Sequence, residues 1–455
     1  MRRKKSFLQA EHCAAVVGEL AEFAADLRYA GLPGPVRERL GVMLTDLFGV
    51  TVAGARTPEL QALVEAWRCP PGDARVPGST VRTVPETAAY LSAVAACMLE
   101  LDEGNKYAAG HPAAHVVFAT VGAAQLAGGE VSGERFLTAV AAGYETAARF
   151  GRATRRDPRW HTHGHWGATG AACAATLLLG GDAAQVAAAI DSATSLMHVT
   201  PWETVLTGDF TRNLWIAGAN QAGLNAARMS LAGLVRNQGS AAHALGDLVG
   251  TLDPEAILAG LGERWLTAEG YLKRHSSCSY THAAVDLVQA LAGAGAWESA
   301  DDVAAVRVRT HSLAAPLFRR HPNNRLAAMF SLPFVVSTTV VSGRVDPDTM
   351  DPGTDAFQAA EEFSTRVEVS VDERLDAYLP ALRCTEVEVA LRDGSSLALA
   401  QPNPIGDTNH FPLSRKDVDE KLRDLIGQHE AQRVAQTMQD LPACSSVVPL
   451  LDELC

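Results

Sequence analysis

Val303-Ala-Ala-Val-Arg-Val-Arg-Thr310 is where the texture of this chain changes. Val306, Arg307, Val308 and Arg309 alternate apolar and charged, the period of a half-buried strand. Ser364-Thr-Arg-Val-Glu-Val-Ser-Val371 and Val387-Glu-Val-Ala-Leu391 alternate in the same way. Arg392-Asp-Gly-Ser395 then supplies a hairpin turn before Leu397-Ala-Leu399. Upstream of about residue 265 no stretch reads as a strand. Val36, Leu40, Met43, Leu44, Leu47 and Val50 repeat at helical spacing over 35–53, after Pro33 and Pro35. Further helices are predicted over 86–101, 113–127, 133–150, 167–180, 183–194 and 212–234. Their apolar faces are wide and rich in small residues, the pattern of helices buried on several sides.

Helices predicted over 282–293 and 323–342 interleave with the strands. Pro402 and Pro404 close this region. Ser414-Arg-Lys-Asp417 then reads as a capping box, and Val418, Leu422, Leu425 and Ile426 continue an amphipathic helix. The expected fold is mainly α with an α+β insertion. Residues 1–266 form the first part of a large helical domain, 267–404 a smaller α+β lid, and 405–455 a helical segment returning to the first part.

The 455 residues are 47% hydrophobic and 20% charged, ordinary for a water-soluble globular chain. A net charge of −13 argues against nonspecific nucleic-acid binding and against an anionic membrane surface. The basic start, Met1-Arg-Arg-Lys-Lys5, is followed by Glu11 and His12 rather than by an apolar run, so no signal peptide is expected. The longest apolar stretch, around Leu326–Val341, contains Ser331, Pro333 and Ser337 and falls short of a membrane span. The eight cysteines are scattered without a C-x-x-C pair, which fits reduced thiols in a cytoplasm.

Four constellations bear chemistry. Asp102-Glu-Gly-Asn-Lys-Tyr107, followed by His111-Pro112, places two acids at the end of a predicted helix, where the dipole disfavours them. Solvation, or neutralisation by Lys106, explains them equally well. Trp160-His-Thr-His-Gly-His-Trp166 brings three histidines before the apolar helix that Gly167 opens. Their alternation suggests metal, but no cysteine or carboxylate at short spacing completes a set. A histidine at a helix N-terminus, kept neutral, suits a base. Arg212 follows Thr211, a plausible N-cap, and its bland reading is an exposed pair with Asp209. Tyr271-Leu-Lys-Arg-His-Ser-Ser-Cys-Ser-Tyr-Thr-His282 carries cations and hydroxyls between an apolar run and a helix. Such a segment is poor core material unless its polar groups are paired. It suits the gripping of an anion, and its bland reading is a polar turn with one structural lysine.

Taken in order, Gly104-Asn-Lys-Tyr-Ala-Ala-Gly-His-Pro112, Trp160-His161, Arg212-Asn-Leu-Trp215, Lys273–His282 and Asn324-Arg-Leu-Ala-Ala-Met-Phe-Ser-Leu-Pro-Phe334 resemble the MmgE/PrpD family over roughly residues 35–430. That family includes 2-methylcitrate dehydratases, cis-aconitate decarboxylases and iminodisuccinate epimerases. The resemblance implies a helical domain built from both chain ends, an inserted lid, a pocket between them, a homodimer, and chemistry with no metal or organic cofactor. It marks Asp102, His111, His161 and Lys273 as catalytic. Lys106, Arg212, Asn105 and His163 are the expected substrate-binding residues. The chain departs from the dehydratases and decarboxylases at Asn105 and Lys106, where they end an Asp-x-x-Asp-Thr motif, and at Arg212, where they carry lysine. No counterpart of a lid tyrosine used by some members is placed.

The expected partner is a small anionic carboxylate. Removing a proton beside its carboxylate builds negative charge, which Lys273, Arg212 and Lys106 are positioned in the sequence to meet. The first reading is a cofactor-independent lyase of dehydratase type acting on a di- or tricarboxylate. Next come an epimerase of an imino- or amino-dicarboxylate, a cis-aconitate-type decarboxylase and a catalytically silent ligand-binding member. A metal hydrolase on His161, His163 and His165 is the weakest reading.

Overall fold

The computed structural model describes the backbone of residues 2–455 and the side chains from residue 9 onward. Its helical part is organised around one small-residue helix, α6 (Gly167–Leu178). Against it pack α4 (Pro112–Leu126), α5 (Gly133–Ala153), α7 (Ala183–Ala193) and α8 (Thr211–Leu231), with α1 (Arg2–Asp26), α2 (Gly34–Ala55) and α3 (Pro85–Ala96) outside them. Alanine and glycine on α6 let five backbones share one neighbourhood. A Cβ on Gly170 would stand 2.2 Å from the Gly143 carbonyl oxygen. No other residue type fits that crossing.

The alternating segments form one four-stranded sheet in the order Val367–Val371, Val303–Thr310, Thr385–Leu391, Ser396–Gln401. The first pair is parallel and the others antiparallel. Val303, Val306, Val308, Val387 and Val389 point inward. On the outer face Arg307 pairs with Glu388 at 3.0 Å and Arg309 with Glu386 at 2.8 Å. The inner face packs on α9 (His282–Gly293), α10 (Leu332–Ser342) and α11 (Asp355–Phe363), forming a second apolar core that also takes in Val205 and Trp215 from the helical part. After the sheet the chain returns: α12 (Arg415–Ile426) and α13 (Gln428–Asp440) lie on α2. The Ser414–Asp417 capping box closes in both directions, as the sequence predicts.

Three details differ from expectation. The helix predicted over 86–101 stops at Ala96. Glu100 adopts a left-handed backbone with φ of 52°, which turns its carboxylate inward. The helix predicted over 323–342 is split into Arg325–Met329 and α10, because the Ser331 hydroxyl accepts the Phe334 N–H and starts a new helix. Two short ribbons, Ala74–Arg75 with Arg82–Thr83 and Thr154–Arg156 with Gly250–Leu252, lie in the half where no strand was foreseen. Both are two- or three-residue pairings, too short for a periodic signal. Among the described residues no helix is long and apolar enough to cross a membrane.

Gly170→Ala should destabilise the protein by about 1–3 kcal/mol through overpacking. Gly18→Ala, where a Cβ meets nothing within 4 Å inside α1, should be neutral or slightly stabilising. Melting temperatures of the two variants check the contrast; equal shifts would contradict the close crossing.

Candidate active site

Two loops meet where the helical part faces the lid. The loop after α3 carries Glu100, Asp102 and Glu103 and ends at His111, the residue that caps α4. The other loop is Tyr271–Thr281. They are joined by paired backbone bonds between Gly104 and Tyr271, at 3.1 and 2.6 Å. A Cβ on Gly104 would sit 2.4 Å from the Tyr271 ring, so glycine is what permits this approach. Ser276 Oγ adds a bond to the Leu99 carbonyl at 2.6 Å.

At this seam lies a buried ionic cluster. Lys273 Nζ donates to Glu100 at 3.0 Å and lies 3.5 Å from Asp102 Oδ1. Arg212 contacts the other Glu100 oxygen. None of the four side chains is more than 1% exposed. Two carboxylates and two cations cancel, and that balance is what makes such burial tolerable. Burial opposes ionisation of Asp102, but His111, Lys273 and Arg212 outweigh it and hold its carboxyl well below the usual range. Burial likewise disfavours the Lys273 ammonium, and Glu100 and Asp102 more than compensate.

His111 joins the charged cluster to a ring of histidines. Its Nδ1–H donates to the Glu103 carbonyl oxygen at 2.6 Å, and Asp102 Oδ2 lies 3.1 Å from the same nitrogen, off the hydrogen-bond direction. A carbonyl only accepts, so the proton sits on Nδ1 and the Nε2 lone pair is left for chemistry. Edge-on to His111, with ring centres 4.9 Å apart, is His163. His161 follows, 4.3 Å from His163 and enclosed by Trp202, Trp215 and Phe330. Burial, then the Arg212 charge, hold both His161 and His163 neutral, well below the ordinary histidine range.

The remaining histidines here are structural. His115 Nδ1–H donates to the His111 carbonyl and its Nε2 accepts from Gly164. His165 Nε2 bonds Thr200 Oγ1 at 2.7 Å. Among the described residues no three His, Cys, Asp or Glu side chains are grouped to hold a metal ion.

Asp102, His111, Lys273 and Arg212 therefore converge, with His163 and His161 alongside. Asn105 and Lys106 point elsewhere. Asn105 braces its own loop, accepting from Tyr107 and Ala108 and donating to the Leu266 carbonyl. Lys106 is paired with Asp407 at 2.9 Å and bonded to the Ala381 carbonyl, tying the helical part to the lid. Within the lid loop, His275 is held by Asp286 and His282 by the Ser277 carbonyl. Glu100 was not singled out from sequence, because the helical pattern ran through it.

Several buried polar atoms around His111 have no hydrogen-bond partner: both ring nitrogens of His163, Arg212 Nε, and Asp102 Oδ2. Buried polar groups are nearly always paired, and a concentration of unpaired ones marks a place for a polar ligand. A cleft of about 1120 Å³ opens nearby between α2, α12 and the lid and reaches Leu99, Leu101, Arg274 and His275, but not His111, His161 or His163. The buried ionic cluster and these histidines lie behind that cleft, in a closed seam.

Comparison with known proteins agrees in extent with this architecture. A model of the MmgE/PrpD N-terminal domain matches residues 18–244, and one of the MmgE/PrpD C-terminal domain matches residues 275–446. The chain is 24% identical over an alignment of 476 residues to a cis-aconitate decarboxylase of Aspergillus terreus, with 96% of each chain covered. It is also 24% identical over 477 to a cis-aconitate decarboxylase-like protein oryM of Aspergillus oryzae, again with 96% of each covered.

Two outcomes follow. Glu100→Ala strands Arg212, leaves Lys273 only its 3.5 Å contact with Asp102, and should cost about 3–5 kcal/mol, read as a fall in melting temperature; no change would contradict the buried pairing. Burial raises Glu103 to about 8, against the Tyr144 bond at 2.5 Å that favours its ionised form. Between the ordinary carboxylate range and about 8, unfolding releases its proton, so wild type loses stability relative to Glu103→Gln as pH rises from about 5 to 8, by at most about 1.4 kcal/mol per pH unit. A gain over that window would refute the assignment.

Proposed function

Because the chain belongs to the MmgE/PrpD family, we propose that it is a lyase acting on a small polycarboxylic acid, moving a proton at carbon next to a carboxylate. The observation that carries this reading is the His111 Nδ1–H bond to the Glu103 carbonyl beside buried Asp102. It leaves Nε2 as a base in a site whose unpaired donors belong to Arg212 and His163. Asp102 favours the imidazolium that forms when Nε2 takes the proton. Arg212, whose Nη2 is held by Glu100, offers its free Nε–H to a substrate carboxylate, and Lys273 strengthens the field as negative charge develops.

Dehydration and decarboxylation share this core. In dehydration, His111 takes the α-proton, the C–O bond breaks, and the hydroxyl leaves as water with a proton from the site. In decarboxylation, the C–CO₂ bond breaks, its electron pair passes to carbon, and His111, entering this reaction as the imidazolium with a solvent-derived proton on Nε2, delivers that proton there. The names of the relatives favour the second. Substrate enters when the lid separates from the helical part, since Asp102 and Lys273 are fully enclosed. Assembly as a homodimer belongs to the same reading.

Proton NMR in deuterium oxide with cis-aconitate and with citrate tests it. Loss of CO₂ or water, with deuterium entering at the carbon beside a carboxylate, is expected. His111→Gln should slow the reaction by about 10²–10⁴-fold without lowering the melting temperature. Exchange alone, with no elimination, would assign an epimerase instead. Unchanged turnover in His111→Gln would remove His111 from the mechanism.

A further inference from the structure

The cations expected to grip substrate are largely engaged within the protein: Lys106 by Asp407, Lys273 by Glu100 and Asp102, and Arg212 by Glu100. Arg383 is different. It lies in the lid at the start of strand Thr385–Leu391 and is only 4% exposed. Among the described residues no carboxylate comes within 4 Å of its guanidinium. Its Nε has no partner; Nη1 donates to Ser279 Oγ over a long 3.4 Å, and the Tyr271 hydroxyl also bonds the guanidinium. The guanidinium is flanked by the rings of Tyr271 and Tyr280, at 5.4 and 5.1 Å. The nearest acid to make itself felt, Asp407, is already held by Lys106 and His410.

A buried, uncompensated arginine is costly, and two tyrosine faces offset only part of that cost. The surroundings add no anion. His311, whose ring lies 5.5 Å from Tyr280, is pushed down to about 4 by burial and by the Arg383 charge, and its Nδ1 has no partner either. Position links Arg383 to the active site. Tyr271, two residues before Lys273, feels both cations. Ser279, which Arg383 touches, follows Cys278, whose thiol lies in the field of Glu100, Lys273 and Arg212. Ser279 and Tyr280 are half-exposed, so this side of the site faces solvent.

We propose that Arg383, between Tyr271 and Tyr280, binds the substrate carboxylate remote from the reacting carbon and so selects polycarboxylates over monocarboxylates. This rests on the polycarboxylate reading above and deepens it. The planar fork suits a carboxylate held bidentately, with the tyrosine rings fixing its plane.

The test combines ligand truncation with substitution. Affinities of the full chain for propane-1,2,3-tricarboxylate, glutarate and butyrate are measured calorimetrically for wild type, Arg383→Gln and Arg383→Lys. Wild type should weaken by about 10–150-fold as the carboxylate that meets Arg383 is deleted, the range for a charge-assisted bond. In Arg383→Gln that penalty should shrink to a few-fold, with butyrate affinity unchanged, and Arg383→Lys should fall between. Equal weakening of all three ligands in Arg383→Gln, or an undiminished truncation penalty, overturns the subsite. If Arg383→Gln does not fold, the same comparison is read from Arg383→Lys. Should wild type still exchange α-protons, the lyase reading survives that failure. No binding of any ligand and no exchange would remove both.

Discussion

A charge-balanced quartet buried at a domain seam is the constraint on which this structure depends. Glu100, Asp102, Arg212 and Lys273 come from three separate stretches of chain and are sealed from water. None is tolerable there alone. An isolated buried ion costs several kcal/mol even after relaxation, so each side chain enforces the position of the others. The left-handed turn at Glu100 is part of that enforcement. A non-glycine residue in that conformation costs about 1 kcal/mol or more, and the carboxylate it delivers holds two cations.

The quartet also connects architecture to proton chemistry. Lys273 and the Gly104–Tyr271 backbone pairing fasten the lid loop to the loop after α3. That second loop ends at His111, so the contact closing the two parts also sets the histidine against Asp102 and the Glu103 carbonyl. Opening the seam would wet the carboxylates and weaken their field on His111; closing it restores both. The ligand we propose, an anion with more than one carboxylate, would meet the unpaired Nε of Arg212, the His163 ring and Arg383.

Much of this was legible in the residues. Alternation over Val303–Thr310 and Val387–Leu391 marked the sheet, because a one-sided sheet imposes period two on its strands. Ser414 and Asp417 marked the start of the returning helix through local bonds alone. Asp102, His111, Arg212 and Lys273 stood out as ionisable groups in apolar or electrostatically poor settings, and the fold brings them together. Glu100 was invisible, since helical periodicity ran through it and only tertiary partners turn it inward. Lys106 read as a substrate cation because Asp407, its partner, lies 301 residues away. Arg383 gave no signal: one arginine before a strand is unremarkable until the absence of a counter-ion is seen in three dimensions.

The most direct measurement is the protonation pattern of the His111 ring, by nitrogen-15 NMR of histidine-labelled protein, assigned by loss of its signals in His111→Gln. At pH values where the ring is neutral, the proton should reside on Nδ1, with Nε2 showing the shift of a bare imidazole nitrogen. A neutral ring protonated at Nε2, with Nδ1 bare, would contradict the account, because neither the Glu103 carbonyl nor Asp102 offers that nitrogen a proton.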